Sequence, residues 1–189
     1  MKYDILLAGV GGQGVLSIAA VIATAAMKDG LYVRQSEVHG MSQRGGGVQA
    51  HLRLSDKPIS SDLIPSGKAD MILSMEPLES LRYLQWLSVD GVLITDSKPF
   101  VNIPNYPDVE KLYEAIKVLP KAKIVEAEAL AKEAGNSKAE NMVLVGAALD
   151  FIPVKKETII NSVKERFASK DPKLVEINCT AIELGSKAK

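Results

Sequence analysis

Gly9-Val10-Gly11-Gly12-Gln13-Gly14 follows directly on the apolar run Tyr3-Asp4-Ile5-Leu6-Leu7-Ala8. A strand that ends in a glycine-rich turn and opens a helix aims backbone N–H groups and a positive helix end at one point. Such a point suits a phosphate, a carboxylate or the backbone of another chain. A second dense segment, Ser36-Glu37-Val38-His39-Gly40-Met41-Ser42-Gln43-Arg44-Gly45-Gly46-Gly47, comes one helix and one strand later. Within it Arg44 can grip a carboxylate or phosphate at two points. His39 can move protons near neutral pH. These two are the catalytic candidates. Candidates for a cofactor-binding or subunit-interface role are Gly9, Gly11, Gly12, Gln13, Gly14, Glu37, Gln43, Gly45, Gly46 and Asn141. The bland alternatives are a tight β–α turn that binds nothing and a surface loop of solvated side chains.

Gly9, Gly11 and Gly14 also fit the G-x-G-x-x-G fingerprint of dinucleotide sites. Glu37 lies 23 residues beyond Gly14, near where an acid for the ribose is expected. A dinucleotide fold, however, needs a helix after that acid to cross to a parallel strand. Here Glu37 runs into His39-Gly40 and a glycine triplet, which continue a helix poorly. The alternating run Val48-Gln49-Ala50-His51-Leu52-Arg53-Leu54 starts almost at once, too soon for a parallel crossover of a dozen or more residues. Strands over 31–38 and 47–54 are therefore expected to run antiparallel, and Glu37 to orient the loop rather than to bind a ribose.

The elements that must position these segments alternate between strand and helix. Strands are predicted over 3–8, 31–38, 47–54, 69–75, 92–96 and 123–127. Helices are predicted over 13–28, 76–86, 108–118, 127–134, 139–151, 156–168 and 173–185, with loops over 55–68 and 97–107. Asp90-Gly91 reads as a turn. Helix 13–28 is apolar on most faces, which implies burial on more than one side. The expected fold is α/β: a three-layer α/β/α domain over 1–189, with a mostly parallel sheet and a hairpin-like antiparallel excursion, Rossmann-like but not a true dinucleotide-binding fold.

The 189 residues carry 23 basic and 23 acidic side chains, so the charge footprint of a nucleic-acid binder is missing. Apolar runs are far short of a membrane span, and no basic segment precedes the first of them, so neither membrane nor signal peptide is expected. The single cysteine, Cys179, allows no internal disulfide and no iron–sulfur cluster held by this chain alone, and it fits a reducing cytoplasm. Cys179 reads as a packed helix residue. Two histidines without neighbouring carboxylates make no metal set, and none is assigned. His51 reads as the polar face of a strand, and Asn141 first as a helix N-cap and second as a group reaching a shared site. Glu76 and Glu79 read as first-turn acids answering a helix dipole. Trp86 reads as core or interface, and Ser97 to Pro107 as an interface segment.

Together, Gly9–Gly14 and Glu37–Gly46 resemble the gamma-type subunit of 2-oxoacid:ferredoxin oxidoreductases, with the indolepyruvate branch most similar. Leu63-Ile64-Pro65-Ser66-Gly67-Lys68-Ala69-Asp70, Met75-Glu76-Pro77-Leu78-Glu79-Ser80-Leu81-Arg82-Tyr83-Leu84 and Glu140-Asn141-Met142-Val143-Leu144-Val145-Gly146-Ala147 match the same pattern in order. The resemblance implies an accessory subunit that is inactive alone. Its complex would carry out CoA-dependent oxidative decarboxylation of 2-oxoacids, arylpyruvates such as indolepyruvate in this branch, to acyl-CoA with reduction of ferredoxin. It implies thiamine diphosphate, Mg and iron–sulfur clusters in a cofactor-bearing alpha subunit, a heterodimer or heterotetramer, and CoA at a shared site. Two other readings stay open on the residues alone: a stand-alone NAD(P)- or flavin-binding reductase, and a non-enzymatic nucleotide- or CoA-binding module.

Overall fold

The computed structural model describes residues 1–39, 45–169 and 171–188, and only the backbone of His39. Among the described residues there are six strands in one sheet, in the order β2-β3-β1-β4-β5-β6. Their ranges are β1 Lys2–Val10, β2 Tyr32–His39, β3 Gly47–Ser55, β4 Ala69–Ser74, β5 Leu87–Asp96 and β6 Ala122–Val125. β1, β4, β5 and β6 are mutually parallel. β3 runs antiparallel to both β1 and β2. Only β3 is reversed, so β1 and β2 finish at the same rim of the sheet. β2 pairs antiparallel with β3 along its whole described length, as the short link after Glu37 predicts.

The helices are α1 Val15–Lys28, α2 Pro77–Arg82, α3 Val109–Lys117, α4 Ala127–Glu133, α5 Glu140–Ala148, α6 Lys156–Phe167 and α7 Pro172–Lys187. Side chains alternate across each strand, and both sheet faces are covered. Ile5 and Leu7 of β1 face the larger core, shared with α1, α5, α6 and α7. Leu6 and Ala8 face the smaller core under α2 and α3. Helix α1 buries Ile18, Ala19, Ile22, Ala25 and Ala26 completely. Its alanines let it lie close to the sheet while α6 covers its far side. Helices α5 and α7 touch backbone to backbone. A Cβ on Gly146 would stand 2.2 Å from Ile182 O, and one on Gly185 would stand 2.0 Å from Val143 O. Both positions must be glycine for the helices to meet.

Three expectations need correction. Asp90-Gly91 is not a turn. β5 runs straight through it, and the register with β4 jumps from Ala69↔Leu87 to Met71↔Val92. The extra residues bulge out, with Val89 almost fully exposed, and a bulge at a sheet end satisfies the same local residue preferences as a turn. The polar face of β3 is not solvated either. His51 and Arg53 are buried under the 56–68 loop. Arg53 donates from Nε to Asp4 Oδ1 at 2.9 Å and from Nη1 to the carbonyls of Ser61 and Leu63. His51 Nδ1 accepts the Ile64 N–H at 3.1 Å. Burial, with Arg53 adding to it, pushes the His51 pKa down. The ring is therefore a neutral acceptor, with its edge toward Trp86. Alternation alone marks the polar side chains of a strand but not the loop that folds over them.

The predicted helix over 76–86 is shorter than expected. α2 ends at Arg82 and a 3-10 turn spans Leu84–Trp86 before β5. Trp86 is half-buried against the smaller core.

Candidate functional site

Val10 pairs with Gly47 at the end of the β1–β3 ladder. Beyond that pair the two glycine bends continue to bond to each other. Gly11 N–H donates to Gly46 O at 2.8 Å, and Gly45 N–H donates to Gly11 O at 3.3 Å. The segments singled out for their chemistry thus meet at one rim, outside the carboxyl ends of the parallel strands, where open α/β sheets place their ligands.

The first bend is tightly built. Gln13 folds back on it, with Oε1 accepting the Val10 N–H at 2.7 Å and Nε2 donating to Met75 O at 3.0 Å. Its amide is spent on bracing the turn. Gly14, at φ +85°, forms the N-cap of α1 without a side-chain cap bond. A Cβ there would lie 2.9 Å from Asn141 Nδ2, so both the conformation and the close packing require glycine. Asn141 is not the N-cap of α5; that position is Ala139. Its side chain instead packs beside Gly14.

An open cleft of about 540 Å³ lies between this bend, the segment after β5 and the start of α5. That volume falls in the range of small-molecule sites. Gly11 to Gly14 form its floor, Lys98, Pro99 and Phe100 one wall, and Ser137, Lys138, Glu140 and Asn141 the other. The N-termini of α1 and α5 both open on it, so two sets of helix-end N–H groups and two lysines favour an anion. Lys98 Nζ is held by Glu128 at 3.1 Å and Glu140 at 3.6 Å. Lys98 itself is exposed and its two partners are only partly buried, pairs of the kind worth about 0–1 kcal/mol, so an incoming phosphate can compete for the lysine. On the other side of the same glycines, Val10, Val15, Leu16 and Val48 line a smaller, mostly apolar cleft of about 270 Å³.

Beneath the cleft, Asp96 ends β5 with 1% exposure. Its Oδ1 accepts the N–H groups of Lys98 and Ala127 at 3.3 and 3.2 Å. Burial outweighs those bonds, Glu140 adds repulsion, and the carboxyl pKa is pushed up to about 7. Beside the second bend Glu76 caps α2, accepting the Glu79 N–H at 2.6 Å, and takes the Tyr106 O–H on its other oxygen. Glu79 is buried against Gly47. Burial raises its pKa, Arg82 opposes the rise and Glu76 adds to it. These acids do more than answer a helix dipole: they form a buried polar base for the rim.

Arg44 and Gln43 lie outside the described residues, and so does the side chain of His39. Glu37 is exposed on β2, with Oε1 accepting from Gln35 Nε2 at 2.7 Å. Lys98, Lys138 and Ser137 were not singled out in the sequence. The available signal for Lys98 is its place two residues beyond a parallel strand. The donor set does not suit a cluster or a metal: the chain has one cysteine, which is packed partly buried on α7, and no group of three metal-ligating side chains occurs among the described residues. No helix among them is long and apolar enough to cross a membrane.

Fold and site together define a mixed α/β domain with a conjoined pair of glycine bends and an anion-suited cleft. The sequence matches the family Pyruvate ferredoxin/flavodoxin oxidoreductase over residues 4–188. It is 39% identical to the indolepyruvate oxidoreductase subunit IorB of Pyrococcus horikoshii, covering 99% of this chain and 96% of that one. It is 31% identical to the 2-oxoglutarate synthase subunit KorC of Methanothermobacter marburgensis, covering 86% and 87%. Among solved structures, the pyruvate oxidoreductase subunit PORC of Thermotoga maritima superposes with a TM-score of 0.77 at 22% identity, covering 100% and 97%. The 2-oxoglutarate:ferredoxin oxidoreductase of Magnetococcus marinus, solved with 2-oxoglutarate, coenzyme A and succinyl-CoA bound, superposes at 0.78 and 20% identity; this chain spans 30% of its length. The chain belongs to the pyruvate ferredoxin/flavodoxin oxidoreductase family, and within it to the gamma-type accessory subunits of oxidoreductases.

Proposed function

We propose that this chain completes a CoA-dependent 2-oxoacid:ferredoxin oxidoreductase whose substrates are arylpyruvates such as indolepyruvate. The observation that carries the reading is the direct bonding of the two glycine bends beside an anion-suited cleft. A surface that merely turned the chain would not need two helix N-termini, Lys98 and Lys138 converging on 540 Å³ of open space. In this reading the cleft takes the phosphates of CoA, with the N–H groups at Gly11 to Gly14 and the ammonium of Lys98 as donors, while the rim at Gly45–Gly47 meets the cofactor-bearing subunit. Thiamine diphosphate with Mg, and the iron–sulfur clusters, supply the decarboxylation and the electron path from within that partner. This chain's residues bind and orient. The relatives named for indolepyruvate, at 34–39% identity, share more with it than those named for 2-oxoglutarate, at 31–32%, which favours an aromatic 2-oxoacid. The stand-alone reductase reading has no support in the topology, because Glu37 leads into an antiparallel strand and not into a crossover helix.

The test is co-expression with the large partner subunit, purification, and 2-oxoacid- and CoA-dependent reduction of a low-potential dye. The complex is expected to turn over indolepyruvate and neither chain alone to do so. Full activity of the isolated chain, or of the partner without it, would refute the reading.

A further inference from the structure

Residues 97–107 form one irregular segment that touches both bends. It is tied down at its start, where Ser97 N–H donates to Val125 O at 2.8 Å and the Tyr113 hydroxyl donates to Ser97 O at 2.5 Å. It is tied down again at its end, where Tyr106 donates to the buried carboxylate of Glu76. Between these anchors Lys98 and Phe100 line the cleft against the first bend, and the half-buried Asn102 reaches across 57 residues of sequence to the second. Its side-chain Nδ2 donates to Gly45 O at 2.7 Å. Gly45 lies in the left-handed region at φ +78°, and its own N–H is bonded to Gly11 O.

We propose that Asn102 is a positioning residue: its amide clasps the second glycine bend onto the first and sets where the ends of β2 and β3 stand at the rim. The physical need is plain. Glycine-rich segments lose more conformational freedom on ordering than any others, so they hold one geometry only when bonded from outside. The Gly11–Gly46 and Gly45–Gly11 bonds join the bends to each other. The Asn102 bond is what fixes that joined pair to the cleft wall. A change in the 98–100 wall is thereby carried to Gly45 through two residues of backbone. The functional half of this inference rests on the reading of the rim as part of a shared site.

The experiment compares Asn102→Ala and Asn102→Asp in the full chain by amide hydrogen exchange at Gly11 and Gly45, with thermal melting alongside. Alanine removes the donor. Aspartate keeps the size but turns an oxygen toward the Gly45 carbonyl. Both amides are expected to exchange at least tenfold faster in Asn102→Ala, and at least as fast again in Asn102→Asp, with melting little changed. A space-filling role would instead leave Asn102→Asp like the native chain, and that result, or unchanged exchange in Asn102→Ala, overturns the proposal. In the assembled complex, Asn102→Ala is expected to lower kcat about tenfold without changing the KM for the dye. An active complex in which the amides exchange faster but kcat is native would overturn it too. A complex with no 2-oxoacid turnover at all refutes the proposed function and leaves the exchange result to decide the clasp.

Discussion

The carboxyl of Asp96 allows a quantitative test of how the end of β5 beneath the cleft is built. In the folded chain it titrates at about 7 rather than its ordinary 3.8, chiefly because it is buried. A raised carboxyl pKa means that the folded chain holds the proton more tightly than the unfolded one. Its stabilisation is therefore complete below 3.8 and is lost as pH rises through about 7. At about 1.4 kcal/mol for each pH unit between the two values, the full loss is about 4 kcal/mol. Part of it has already occurred by about pH 5, so about 2–3 kcal/mol remains to be lost between about pH 5 and about pH 8. Asp96→Asn is nearly isosteric and keeps an oxygen for the Lys98 and Ala127 N–H groups, but it has no charged form. Urea unfolding of both proteins at the two pH values measures the difference directly. With a slope of roughly 1–3 kcal/mol per molar urea, the midpoint advantage of Asp96→Asn is expected to widen by about 0.7–3 M on going to the higher pH. Titration of His51 and the surface carboxylates is common to both proteins and cancels. Parallel pH dependences for the two would refute the reasoning and place an ionised, well-solvated Asp96 at the strand end.

His51 has the opposite sign. Its lowered folded pKa gives stability that is present above its ordinary 6.5 and lost as pH falls below that value; His51→Leu is expected to flatten this acid limb in a melting series while costing about 1–3 kcal/mol for the stranded Ile64 N–H. Asp4→Ala leaves the buried Arg53 guanidinium without its carboxylate and is expected to cost about 3–5 kcal/mol in chemical unfolding. Gly185→Ala drives a methyl onto Val143 O and is expected to cost about 3 kcal/mol or more, or to prevent folding, read by circular dichroism. Lys98→Ala is expected to weaken CoA binding to the assembled complex about tenfold by calorimetry, in line with the loss of one charge-assisted bond, while Lys132→Ala, at an exposed pair with Glu128, leaves it unchanged.

What the sequence made legible follows from which forces are local. The β–α turn at Gly9–Gly14 and the hairpin after Glu37 depend on glycine conformation and connection length, both readable along the chain. The parallel strand at 69–75 announced itself as a near-continuous apolar run. The burial of His51 and Arg53 was not legible, because it depends on a loop 8–13 residues further on supplying the Ser61 and Leu63 carbonyls and the Ile64 N–H. The same holds for Asn141, whose helix begins one residue before it, so that its neighbour is Gly14, far away in sequence. Of the site, the floor was readable from the glycines. The walls were not, since Lys98 and Lys138 are brought together only by the sheet order and by the packing of α5.

The close approach of Gly146 to Ile182 and of Gly185 to Val143 has a mechanical consequence for anyone wishing to redesign this domain. Helices locked main chain to main chain can neither slide nor roll, and the first turn of α5 borders the cleft, so that side of the opening is effectively a fixed jaw. Widening or narrowing the opening to admit a different ligand therefore has to be done by editing residues 98–101, where side chains can be exchanged without unseating a helix.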